Sequence, residues 1–152
     1  MLYLKFTKTE KQKGTNIQIV TLSFYRFNSF LTRFWALSMM GRARFSLSRI
    51  RGLEFWKLCG SGTGEGFTPR PNTSVYAILC VWKSLEIAQE AQKKEKLFKK
   101  YQTLSIENWN VYLGTISSRG KWSGKEPFFP NHDYTAGPIA ALTRATIKPS
   151  KI

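Results

Sequence analysis

KLCGSGTGEGFTPRPNTSVYAILCVW, residues 57–82, sets four glycines (Gly60, Gly62, Gly64 and Gly66) between two runs of strand-forming residues. GLEFWKLCG (52–60) and SVYAILCVW (74–82) are rich in aromatic and β-branched side chains and bounded by turn formers, so they read as the arms of a hairpin. A phosphate-binding loop needs a helix N-terminus behind it, and this loop joins strand to strand. The Walker pattern requires Lys after its last glycine, where Phe67 stands. The dinucleotide pattern requires a third glycine, where Glu65 or Phe67 stands. The loop is expected to turn the chain and not to hold a nucleotide.

Outward from this hairpin, NIQIVTLSFYRF (16–27) alternates, with Val20, Leu22 and Phe24 on one face and Ile17, Ile19, Thr21 and Ser23 on the other. Asn28 or Ser29 then caps a helix in which Phe30, Leu31, Phe34, Trp35 and Leu37 or Ser38 form an apolar stripe, and Gly41 ends or bends it. Ser84 caps a second helix, LEIAQEAQKKEKLFKKYQ (85–102), with Glu90 to Lys94 and Glu95 to Lys99 as supporting pairs. NWNVYLGTI (108–116) alternates as a fourth strand.

The order β-α-β-β-α-β is that of a ferredoxin-like unit in an α+β protein. Four segments are expected: a basic disordered tail (1–16), the ferredoxin-like domain (17–117), a Gly/Pro-rich linker (118–138), and residues 139–152 as the first strand of a truncated second unit. Cys59 and Cys80 are too few for a disulfide framework. Pairing 53–59 with 74–81 sets Cys59 near Ser74, about 20 Å along the strand from Cys80, beyond disulfide reach.

Twenty-four Lys and Arg against nine Asp and Glu give a net charge of +15, and residues 11–53 carry eight of the cations with no acidic residue. Such a surface attracts polyanions: nucleic acid, anionic lipid or an acidic protein. The N-terminus breaks its apolar residues with Lys5, Lys8, Lys11 and Lys13, unlike a signal peptide, and no apolar run reaches membrane-span length. The chain therefore reads as cytoplasmic, with peripheral contact to a membrane open to it. His132, the single histidine, lies in the linker, so neither a zinc cluster nor a Ser-His-Asp triad is legible. RNA-recognition modules share the element order, but SVYAILCV lacks their aromatic third-strand motif, which disfavours nucleic acid.

SFYRF (23–27), FWALSMMGRAR (34–44), the glycine loop with PN and VYAIL, RGKWSG (119–124) with PF, and GPIAALTRATIKP (137–149) together resemble the spheroidene monooxygenase family of bacterial carotenoid ketolases. The resemblance runs in order from Val20 to Lys148. It implies an oxidoreductase that places a keto group on acyclic carotenoids such as spheroidene, with haem as cofactor and a separate electron donor. It also implies the dimeric α/β-barrel type of ferredoxin-like fold, hence a homodimer, and members that continue into a second unit. The expectation is a fragment, the N-terminal part without its C-terminal region. A haem would need an axial ligand, for which His132 is the candidate, and cations for its propionates, for which Arg26 and Arg144 are. Trp82 and Trp122 are candidate walls for the polyene. The competing expectation is a non-catalytic basic ferredoxin-like module that binds nucleic acid or another polyanion.

Overall fold

The computed structural model describes residues 2–6, 17–64, 70–131 and 138–143. Six strands are formed: β1 (Leu2–Phe6), β2 (Ile19–Arg26), β3 (Leu53–Gly62), β4 (Pro71–Trp82), β5 (Glu107–Ser118) and β6 (Ile139–Leu142). Helix α1 (Phe30–Leu47) follows β2, while α2 (Leu85–Lys94) and α3 (Lys96–Leu104) join β4 to β5. All strands lie in one sheet of order β3-β4-β2-β5-β1-β6, and every paired neighbour is antiparallel. From β2 to β5 this is the ferredoxin-like arrangement, with the first and third strands of the unit at its centre.

Local chemistry explains the elements. Ser29 caps α1, its hydroxyl accepting from the Thr32 N–H at 3.2 Å. The helix runs through Gly41 to Leu47 without ending there, because its buried face, Ala36, Ala43 and Leu47, continues past the glycine. Gly52 makes the turn into β3 at φ 78°, and a Cβ there would come within 2.7 Å of Ile87 Cγ2. Only glycine both adopts that angle and clears the helix.

The second helix is two helices. Glu95 takes an extended backbone (ψ 128°) between α2 and α3. At about 100° per residue, a straight helix would turn Leu97, Phe98 and Tyr101 roughly a third of a turn away from Ala88, Ala91 and Gln92. The break lets both sets face the core, where all six are buried. The Glu90–Lys94 pair forms at 2.6 Å.

Leu2–Phe6, expected in a disordered tail, instead form β1 between β5 and β6. Leu4 is buried there, so the alternation of LYLKF outweighs its lysine. Ile139–Leu142, expected as the first strand of a truncated second unit, pairs with β1 and so extends the same sheet. The β3–β4 register also differs from expectation: Cys59 pairs with Ala77 and Cys80 with Trp56, because a bulge at Gly60 and Ser61 absorbs residues of β4. Both cysteines are free thiols, and the alternation of the two strands puts them on opposite faces of the sheet. No helix among the described residues is long and apolar enough to cross a membrane.

Candidate functional site

The sheet has two unlike faces. Under the helices lie Tyr25, Phe27, Tyr76, Ile78, Cys80 and Trp82, packed against Phe98 and Tyr101. The opposite face carries Val20 and Leu22 of β2, Phe55 of β3, Leu79 and Val81 of β4, and Val111 and Leu113 of β5. No helix covers it. The segment after β5 folds back across part of it instead, burying Phe128 and laying Trp122 beside Phe55 at 5.9 Å between ring centres. Hydrogen bonds help hold that segment: Asn131 N–H to Thr115 O at 2.8 Å, Phe129 N–H to Gln18 Oε1 at 2.9 Å, and Lys57 Nζ to Ser123 Oγ at 2.6 Å.

Between Trp122, the strands and Leu142 a cavity of about 210 Å³ remains, lined by Leu22, Phe24, Cys59, Val75 and Leu79. Its walls are almost wholly apolar, so its occupant must be apolar too. Beyond the cavity the face stays open: Phe24 stacks on Trp109 at 5.8 Å, and Trp109 is 59% exposed. Burial pushes the Cys59 thiol above its ordinary range, with Lys57 acting weakly the other way. Burial likewise raises the Cys80 thiol. Both therefore stay protonated at neutral pH, and neither is an activated nucleophile.

Of the residues singled out in the sequence, the three that are described, Arg26, Trp82 and Trp122, are not brought together. Trp82 is fully buried on the helix side, its indole N–H bonded to Thr21 Oγ1 at 2.8 Å, so it does not wall the cavity. Trp122 does line it. Arg26 stands at the end of β2, exposed, and pairs with Glu107 at 3.3 Å; β5 supplies an acidic partner at that end, so no groove holds the guanidinium. Arg144 and His132 lie outside the described residues. Sequence reading missed Cys59, Val75 and Leu79 as cavity walls. The signal was weak, because Tyr76 to Trp82 are apolar on both faces of β4 and show no alternation.

A haem does not fit the described residues. The cavity is smaller than the roughly 300 Å³ at which pockets for drug-sized ligands begin, and Arg26 is paired with Glu107. Among the described residues no three His, Cys, Asp or Glu cluster as metal ligands.

Fold and face define an α+β ferredoxin-like protein with one apolar sheet face available to a ligand. No protein-family model matches the chain. Its sequence is 43% identical over 133 residues to spheroidene monooxygenase from Cereibacter sphaeroides, covering 87% of this chain and 41% of that protein. It is 37% identical over 136 residues to the enzyme of the same name from Rhodobacter capsulatus, covering 88% and 56%. The chain belongs to the spheroidene monooxygenase family, and it spans about half or less of the length of these relatives. Among solved structures it is similar to a conserved protein of unknown function from Bacteroides thetaiotaomicron, described as a possible oxidoreductase. That likeness has TM-score 0.48 and 20% identity, covering 64% of this chain and 97% of that one.

Proposed function

We propose that this chain supplies an apolar wall for a long acyclic polyene in an oxidoreductase of the spheroidene monooxygenase type, which introduces a keto group into carotenoids such as spheroidene. The observation that carries the reading is the apolar cavity on the helix-free sheet face, continuous with the stack of half-buried Phe24 on exposed Trp109. The kinship to enzymes of that name supports it. At about 210 Å³ the cavity takes a segment of a polyene and not its length. A second ferredoxin-like sheet laid on this face, from another copy or a further unit, would enclose the rest. Each monooxygenation puts one oxygen atom of O2 into product and the other into water, with two electrons from a donor; a CH2 becomes a ketone in two such rounds, through the alcohol and a gem-diol that loses water.

The basic nucleic-acid module fits less well. Tyr76 and Trp82, the aromatics of the third strand of the unit, point under the helices, and the open face of β4 is aliphatic. Bases would find no aromatic to stack on along β4, and the aromatic pair of that face, Phe24 and Trp109, lies on β2 and β5 instead.

The test uses Cys59 as a reporter and Cys80 as its internal control. Because burial raises the Cys59 thiol, its alkylation by iodoacetamide should climb at higher pH than that of free cysteine. Micellar spheroidene should slow labelling of Cys59, followed by mass spectrometry, while Cys80 stays unlabelled throughout. Val75→Glu should abolish the protection by placing a charge in the cavity. Equal Cys59 labelling with and without spheroidene would refute the reading.

A further inference from the structure

Helix α1 is apolar on two opposite sides. Its inner side, Ala36, Ala43 and Leu47, packs on the core. On the outer side Phe30 is 80% exposed, Phe34 64%, Leu37 52% and Phe45 72%. At about 100° per residue these four fall in a stripe roughly 80° wide, facing away from the core. From Phe30 to Phe45 the stripe runs about 22 Å. Four large apolar side chains in one exposed row mark an interaction surface rather than scattered exposure.

Charge identifies what the stripe meets. Arg33 and Arg44 flank it on one side and Arg42 on the other, with Arg49 and Arg51 in the turn that follows. Residues 17–53 contain no acidic residue. The ion pairs among the described residues, Arg26–Glu107 and Lys94–Glu90, use none of these five arginines. Beside α1, α3 adds Lys96, Lys99 and Lys100, the last with its Nζ 5.7 Å from the ring centre of Trp35. Under the first turns lies an open depression of about 390 Å³, lined by Phe30, Phe34, Leu37 and Arg33, where an apolar chain would sit beside a guanidinium. A second copy of the chain is a poor occupant, because a two-fold contact through this face would set arginines against arginines.

We propose that the outer face of α1 docks on an anionic lipid bilayer, with the phenylalanine stripe entering the headgroup boundary and the flanking arginines meeting lipid phosphates. This is the arrangement of an interfacial helix: an apolar row that inserts a few ångströms and cations that select negative headgroups. It stands on the helix surface alone and does not require that the sheet cavity bind a polyene.

Co-sedimentation with vesicles tests it, using phosphatidylcholine alone or mixed with phosphatidylglycerol. The protein should pellet with the mixed vesicles, and far less with phosphatidylcholine alone. Phe34→Glu with Phe45→Glu should reduce pelleting at least about tenfold, since it removes two inserting side chains and sets two negative charges against the bilayer. Both positions are exposed, so the circular dichroism spectrum should be unchanged, as should any protection of Cys59 by spheroidene. Arg42→Glu with Arg44→Glu should remove the preference for the anionic vesicles. Failure of the unmodified protein to pellet would overturn the proposal, as would unchanged pelleting of the phenylalanine variant, which would show unspecific charge attraction. A lipid-free dimer that the same variant converts to monomer would overturn it in favour of a second copy.

Discussion

Trp82 is the largest side chain sealed under the helices, and β2 supplies what its polar edge needs. Thr21 Oγ1 accepts the indole N–H at 2.8 Å, and two residues on, Ser23 Oγ accepts from Gln92 Nε2 at 3.1 Å. Both hydroxyls are fully buried, on the face of β2 that also carries Ile19 and Tyr25. A hydroxyl on a strand often marks solvent, yet here the two serve as hydrogen-bond partners for a neighbouring strand and a helix. Thr21→Val keeps shape and removes the acceptor, leaving a buried N–H unpaired, so it should cost about 1–3 kcal/mol of stability. Urea denaturation measures this. Combining it with Trp82→Phe should cost less than the sum of the two single changes, because the second removes the group the first orphans. A strictly additive pair would mean that the two side chains do not depend on each other.

Among the elements, the interruption at Glu95 is the one that helical periodicity hides. Glu95 is itself a good helix former, and the spacing of charges across it fits a continuous helix. What breaks it is the angular mismatch between two apolar sets, which appears only when both must touch one sheet. Glu95 occupies the N-cap of α3 but makes no capping bond with its side chain. Glu95→Ser should supply that bond and raise stability by about 0.5–1 kcal/mol, read from the urea midpoint. In an unbroken helix the same serine would be neutral or destabilising, so the sign of the change decides between the two geometries. The stripe on α1 shows the converse problem. Its spacing was legible, but the side of the helix it occupies was not, since Ala36 and Ala43 carry the core face without large side chains.

Across the whole molecule, the element order of the ferredoxin-like unit was legible because its strands are separated by capped helices and turn residues. The ends were not, because β1 and β6 are short and gain strand character only by pairing with each other and with β5. Their pairing joins Leu2 to Leu142, positions at opposite ends of the described chain. The β3–β4 hairpin closes a short loop; the β1–β6 contact closes the longest one, and the entropy of that closure must be met before the contact stabilises anything. The order of assembly should therefore run from the hairpin and helices outward to β1 and β6. Native-state hydrogen exchange should find amides of β1 and β6 exchanging through local openings that leave β2 and β4 protected. Uniform protection across the six strands would show a single cooperative unit instead. Since Leu142 belongs to the late-closing pair and lines the cavity, the rim of the cavity can open without unfolding the sheet beneath it, giving a long apolar molecule a way in.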